Sequence, residues 1–367
     1  MSEPALFCTV RARRAEAGLS QAALADRVGV SRQALSAIEG GRAAPSTVLA
    51  LQLARALRCT VDDLFRLPGG PVVHAHVAGE VGSTPRVVLG RVDDRLVAHP
   101  VHDDGQAADG AVLVAADGAP AAIELFGDAT DLESTALVAG CAPLLGVLAE
   151  RLGRRYRDAR AVRIPSSSGR ALALLEAGQV HIAGIHLAPA VDPSEHVRAA
   201  QQALPGERSN LVNLARWRQG LVVAPGNPLG VRSVSDLARP DVRHVARDPG
   251  AGAQRLLDRL IGEAQVAPAP AVRVAASHDD VAKLVRWGVV DVGVAIESVA
   301  MSYGLDFLPL AEERFDLVVA ERRLATQAVA RLLDLIDQPA FRSEAAGLPG
   351  YDLSMAGHAS TVLAEAS

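Results

Sequence analysis

Four short stretches of this chain have residue types and spacings suited to chemistry. Ser166-Ser167-Ser168 is a run of hydroxyls followed by Gly169, and Asp248-Pro249-Gly250-Ala251-Gly252-Ala253 is a small-residue loop. Gly140-Cys141-Ala142 and Ser277-His278 are the other two. Hydroxyls and free backbone N–H groups at a helix start suit an anion, because the helix dipole and its unpaired donors point the same way. The bland alternative for any one serine is a helix cap. A thiol in such a loop, here Cys141, is placed where its pKa can fall. No base or third catalytic group accompanies Cys141 in the sequence, so a buried, inert cysteine is the competing account. His186 is read either as a cleft donor or as a hydrogen-bonded hinge histidine. His74, His76, His99 and His102 invite a metal, and His-x-His on a strand puts both rings on one face. With no cysteine or third ligand nearby, a solvated or structural role is expected and no metal site is assigned.

The elements that must position these loops form an internal repeat. At an offset of 110 residues, Arg163 meets Arg273, Ser167 meets Ser277, Leu174 meets Leu284 and Gly178 meets Gly288. Each copy reads strand, Ser-containing turn, helix, Gly, strand. Each follows a further strand-loop-helix, over 135–152 and 242–260. Two βαβαβ lobes in tandem imply two parallel sheets with helices on their faces. Ligands in such lobes bind beyond the carboxyl ends of the strands, where the four loops converge. Crossing segments near His186–Ala190 and Gly220–Pro225 are expected to form the hinge.

Ahead of the lobes stand two smaller pieces. Residues 5–66 read as five short helices. Ser20 caps the second, Gly29 permits the turn, and Ser31 caps the third with Leu35 and Ile38 inward. Two short helices joined by a Gly-containing turn form a helix-turn-helix unit. Leu67-Pro68-Gly69-Gly70-Pro71 reads as a linker. Short apolar runs between residues 72 and 127 then read as strands of a small β module or dimerisation element. Residues 1–67 carry nine Arg against six Asp or Glu, while the chain as a whole carries a net charge of -5. A basic head on an acidic body fits a nucleic-acid contact confined to the head.

The stretch Leu19–Ser46, with Gln21, Ala25, Gly29, Val30, Ser31, Ile38, Glu39 and Gly41, resembles the Xre/Cro-type helix-turn-helix family. In that family the third helix enters the major groove. By that resemblance Arg32, Gln33 and Ser36 face base edges, next to the capping Ser31, while Gln21 and Arg42 contact phosphates. Glu39 is expected to be a structural partner within the fold. The body resembles periplasmic-binding-protein-like domains of the molybdate-binding type. The matching residues are Ala183–Leu187, Asn213–Ala215, Gln219–Asn227, Asp236–Ala238, Asp306–Asp316 and Pro349–Asp352. Relatives show an Arg-containing Gly-Ser-Gly-Thr-Arg-like loop, which here is Gly250-Ala251-Gly252-Ala253-Gln254, lacking its hydroxyls.

A multidomain chain follows. It has an all-α head (1–67), a β-rich connector (68–130), an α/β two-lobed body of the type 2 periplasmic-binding-protein class (131–357) and a tail (358–367). The expected function is a ligand-responsive, DNA-binding transcription regulator. The site residues are Cys141, Ser166, Ser167, Ser168, His186, Asp248, Gly250, Ala251, Gly252, Ala253 and Ser277. Molybdate or tungstate is the first candidate effector. An organic acid, a pterin-type ligand, or a body that only dimerises are the alternatives, and an enzyme is not expected. Double-stranded operator DNA, a small anion and a second copy of the chain are the expected partners, and no cofactor is called for. No apolar run reaches the roughly 18 residues that cross a bilayer, and the opening Met1-Ser2-Glu3-Pro4 has no basic-then-apolar pattern. A cytoplasmic location, with no membrane partner, is the expectation.

Overall fold

The computed structural model describes residues 6–67, 69–81, 85–101, 105–114, 120–187 and 193–363. Its contacts divide the chain into two compact units, residues 1–89 with 95–130 and residues 90–94 with 131–367. Each is taken by itself.

The first unit opens with the head. Strand β1 (Phe7–Cys8) is followed by helices α1 (Val10–Glu16), α2 (Gln21–Arg27), α3 (Arg32–Glu39), α4 (Thr47–Leu57) and α5 (Val61–Leu64). Strand β2 (Phe65–Arg66) returns to pair with β1. Three helices begin at serines whose hydroxyls accept a backbone N–H: Ser20 from Ala23, Ser31 from Ala34 and Ser46 from Leu49. Such caps satisfy donors that a helix start leaves orphaned. Leu24, Leu35, Leu53 and Leu64 are fully buried in the centre. Five strands then close a barrel in the order β3-β5-β4-β6-β7: β3 (Val72–Val77), β4 (Arg86–Val92), β5 (Arg95–Pro100), β6 (Gly110–Val114) and β7 (Ala121–Leu125). The linker is anchored at this barrel, because buried Glu124 accepts from the N–H groups of Gly69 and Gly70 and pairs with Arg66 at 3.3 Å. His74 and His76 are both exposed on β3, His99 is buried on β5, and His102 lies outside the described residues.

The second unit holds the body. In its first half are β8 (Thr135–Gly140), α6 (Leu144–Arg155), β9 (Arg160–Pro165), α7 (Ser168–Glu176), β10 (Ile182–Ile185) and α8 (Ser194–Ala203). Then come the long β11 (Ser209–Val223), followed by β12 (His244–Arg247), α9 (Gly252–Ala264), β13 (Arg273–Ala275), α10 (His278–Arg286), β14 (Val292–Ile296), α11 (Glu297–Ser302) and the long β15 (Asp306–Ala320). Helices α12 (Gln327–Asp334) and α13 (Pro339–Ala346) and strands β16 (Tyr351–Asp352) and β17 (Ala359–Val362) complete it.

The 110-residue repeat is visible as two copies of strand, cap, helix and turn. Ser167 caps α7 and Ser277 caps α10, and Gly178 and Gly288 follow those helices with φ of +65° and +68°. That left-handed geometry favours glycine at a helix end.

Two expectations are corrected. The lobes do not rest on separate parallel sheets. One ten-stranded sheet runs β13-β12-β14-β11-β15-β10-β8-β9, with β16 and β17 also pairing with β11, parallel neighbours at both ends and an antiparallel centre. The reason is that β11 and β15 pair along their whole lengths, from Ser209↔Ala320 to Val223↔Asp306. The end of β15 pairs with β10 of the first lobe, and the end of β11 pairs with β14 of the second. Gly220–Val223 therefore lies inside the second lobe. The crossing is the middle of β11, where the register shifts at Asn213/Ala215 and at Gln219/Gly220. Of the other expected hinge segment, Ala188–Ala190 lies outside the described residues.

Candidate functional site

The expected serine and glycine loops do meet across the cleft, and their polar groups serve one another there. Ser167 Oγ caps Arg170 N, and Ser166 Oγ donates to the Ile164 carbonyl at 3.2 Å. Ser168 Oγ accepts from His186 N at 3.1 Å. In the facing loop Asp248 accepts from Gly250 N, through Oδ1 at 2.6 Å, and from Ala251 N, through its carbonyl at 2.8 Å. Gly169 N donates to the Gly250 carbonyl at 3.0 Å, which joins one lobe to the other. Gly252 is packed so tightly that a Cβ there would stand 2.0 Å from the His186 carbonyl oxygen, and Ala253 behind it is fully buried. Ser277 Oγ caps Asp280 N.

Beneath these loops lies a buried polar cluster. Cys141, at the carboxyl end of β8, brings its sulfur within 4.8 Å of one ring nitrogen each of His186, after β10, and His278, at the start of α10. The crossing strands supply the next layer. Glu313 Oε2 lies 2.9 Å from His186 Nδ1, and Gln219 donates to the same Glu313 oxygen and lies 3.0 Å from the same ring nitrogen. Trp217 stands edge-on to His186, with ring centroids 4.9 Å apart. Arg247, 3% exposed, donates to the carbonyls of Ala275 and Ala276 and faces His278 Nδ1 at 3.2 Å. Arg163 donates to the Cys141 carbonyl. Arg255, by contrast, turns outward to Glu195.

Charge sets the protonation here. Burial pushes the Cys141 thiol up, but the charge and hydrogen bond of His186, with Arg247 and Arg163 behind it, outweigh burial and hold the thiol below its ordinary value. Burial alone would make His186 less basic; Cys141 and Glu313 reverse this and raise it. His278 is driven well below the usual histidine range by burial and then by Arg247, His186 and Arg163.

Three buried N–H groups in this cluster have no partner: Arg163 Nε, Trp217 Nε1 and His278 Nε2. The first two can only donate. His278 Nδ1 faces the Arg247 guanidinium and so accepts, which leaves Nε2 carrying the proton. The same geometry weighs against a metal. The Cys141–His186–His278 group has a suitable donor set, but two guanidinium groups stand beside it, and the free nitrogen of His278 is protonated. An acceptor-rich, negatively charged guest fits better.

In the head, Arg32 and Gln33 are exposed on α3 and Ser36 is half-buried on the same face, opposite Leu35 and Ile38. Arg42 is exposed. Ser31 Oγ is the helix cap, and the Gln21 amide donates to Glu39 at 2.8 Å. Glu39 also pairs with Arg14 at 2.7 Å. Glu39 thus locks α1, α2 and α3 together.

Sequence reasoning passed over Trp217 and Glu313, named His278 only as a member of a loop and Arg163 only as a repeat position, and left Cys141 without a base. A usable signal existed. β8 and β10 are parallel neighbours, so their carboxyl ends, and hence Cys141 and His186, must lie side by side.

Two family patterns agree with this architecture. The pattern of the PBP superfamily domain matches residues 149–337, and a helix-turn-helix pattern matches residues 10–64. The chain belongs to the PBP superfamily and carries an N-terminal helix-turn-helix domain of the Xre type. It is 29% identical over 183 residues to the uncharacterized protein YvgK of Bacillus subtilis, a match covering 49% of this chain and 59% of YvgK. The head is 51% identical over 59 residues to an uncharacterized HTH-type transcriptional regulator of Methanothermobacter thermautotrophicus, covering 16% of this chain and 86% of that one. Among solved structures, a putative phosphate ABC transporter substrate-binding protein with bound phosphate, from Clostridium perfringens, aligns with a TM-score of 0.47 and 14% identity over 58% of this chain and 96% of its own.

Proposed function

We propose that this protein is a DNA-binding transcription regulator whose two-lobed body responds to a small anion held between the lobes. The observation that carries the reading is the set of three buried donors without an acceptor, Arg163 Nε, Trp217 Nε1 and His278 Nε2, on residues that pack about the Cys141–His186–His278 group. Leaving each such donor unpaired costs about 1–3 kcal/mol, and an anion answers all three at once. The Ser166–Ser168 and Asp248–Ala253 loops, with Ser277, form the walls that bring the lobes together. Molybdate or tungstate is the first candidate. An organic acid or a pterin-type ligand is the second, favoured by the rings of Trp217 and Tyr351, 6.1 Å apart. A ligand touching both lobes stabilises the closed form by its differential affinity, and that change passes to a dimer of heads on a pseudo-palindromic operator. The protein acts in the cytoplasm and as a binder, not as a turnover catalyst.

Calorimetry and thermal shift with molybdate, tungstate, sulfate, phosphate and small organic acids test this. At 100 times its Kd an effector adds about 2.7 kcal/mol of stability, and Arg163→Ala is expected to abolish the shift. If no anion shifts the melting temperature or changes operator affinity, the sensor reading fails and the body serves dimerisation alone.

A further inference from the structure

The same cluster contains a second chemistry. Its Cys141, His186 and Glu313 have the form of an activated nucleophile. The sulfur lies within 4.8 Å of a His186 ring nitrogen, and Glu313 Oε2 fixes that ring from Nδ1 at 2.9 Å. Nucleophile, base and orienting carboxylate in that order are the recurring arrangement for a reactive thiol. Glu313 and His186 are 4% and 1% exposed, so the orientation is held by packing as well as by the bond. Cys141 is half-buried as a residue, with its sulfur set in the cluster between His186 and His278.

The unpaired donors point to what that reagent delivers. Trp217 and His278 are each 2% exposed, and each carries a buried N–H without an acceptor. An oxygen atom placed on Cys141 would be such an acceptor. Access favours a reagent near the size of water, since the lobes already touch through Gly169 N and the Gly250 carbonyl.

We infer that Cys141 is a nucleophilic thiolate that a hydroperoxide oxidises to a sulfenic acid within the lobe interface. The thiolate attacks one peroxide oxygen, so an S–O bond forms as the O–O bond breaks. The departing oxygen takes the proton of the His186 imidazolium and leaves as water or an alcohol. Sulfur loses two electrons and the hydroperoxide gains them. Cys141 is the one cysteine of the second unit; Cys8 and Cys59 belong to the first. The reaction therefore ends in this unit at a sulfenic acid, beside the unpaired N–H of His278.

This inference uses the site of the proposed function but does not depend on any anion binding there. The test treats the full, reduced chain with one equivalent of hydrogen peroxide, traps sulfenic acid with dimedone, and locates the adduct by peptide mass spectrometry. The adduct is expected on Cys141, with Cys8 and Cys59 unmodified, and Cys141→Ser abolishes it. His186→Gln slows the oxidation by about 100-fold, the scale of a lost proton donor. Glu313→Gln keeps the shape of the side chain and serves as the second variant, with a smaller slowing expected, should His186→Gln fail to fold by circular dichroism. Oxidation of Cys141 no faster than that of the urea-unfolded chain, or an unchanged rate in both folded variants, overturns the inference. Calorimetry with molybdate on the same reduced chain reads the anion proposal separately, so either can fail alone.

Discussion

Asp316 offers a stringent test of how the crossing strands are held. Its carboxylate is fully buried and receives Arg314 Nε at 2.7 Å, Arg314 Nη2 at 3.0 Å, Asn213 Nδ2 at 2.8 Å and His196 Nδ1 at 2.7 Å. His196 Nε2 in turn accepts from Leu187 N, which fixes the ring as a neutral donor toward Asp316. Asp316→Ala strands all of these donors. Breaking a buried charged pair costs about 3–5 kcal/mol, and with no exposure there is no solvent screening to discount. For a body of this size each kcal/mol lowers Tm by about 2–4 °C, so a fall of roughly 6–20 °C is expected. Both tryptophans, Trp217 and Trp287, lie in the body, so urea unfolding followed by tryptophan fluorescence reports this unit alone. Acid provides the second arm. Burial pushes the Asp316 carboxyl up, but the hydrogen bond from His196, with the hydrogen bonds and charge of Arg314, outweighs it and holds it below its ordinary value. A depressed folded-state pKa gives stability that is complete above the unfolded value, about 3.9, and is lost as pH falls from there through the folded value. Asp316→Asn lacks that titration, so its stability should change less than the parent's below about pH 4. An Asp316→Ala cost under about 1 kcal/mol, at the level of a surface pair, would refute the reasoning.

Three further outcomes follow, one from close packing and two from the head. Gly252→Ala places a methyl 2.0 Å from the His186 carbonyl oxygen and 2.5 Å from its ring; a loss of about 1–3 kcal/mol and a red-shifted Trp217 emission are expected as the lobes part, and an unchanged melting curve contradicts the contact. Glu39→Ala leaves Arg14 and Gln21 without their shared partner and should cost the head about 1–3 kcal/mol in thermal unfolding. Arg42→Ala should spare stability and reduce the salt slope of DNA binding by about 1; the reverse pattern would exchange their roles.

The head was readable in the sequence because its signals are local. Ser20, Ser31 and Ser46 each bond to an N–H three residues on, so the residues that define a helix start stand next to it. The repeat was readable for a similar reason: Ser167 and Ser277, with Gly178 and Gly288, mark cap and turn at the same offset. The barrel's pairing was not. β3 runs parallel to β5 and antiparallel to β7, and nothing in an apolar run names its partner. The crossing strand β11 was misplaced because Arg216 and Arg218 interrupt its apolar run at the point where it leaves one lobe for the other. The site was half legible. Its loops follow from strand ends, but His186 needs Glu313, 127 residues later, to become a held base, and that contact exists only after the sheet has closed.

The long central strands also set the order in which the chain matures as it is made. The head is complete once β2 has paired with β1 at Arg66. The first lobe cannot close its sheet until β15, ending at Ala320, arrives to pair with β10 and β11. About 250 residues separate those two points. At a synthesis rate of about 5–20 residues per second, the helix-turn-helix head is finished roughly 13–50 seconds before the two-lobed body. A ribosome-bound intermediate of this protein would hold a folded helix-turn-helix head attached to an unfinished two-lobed body.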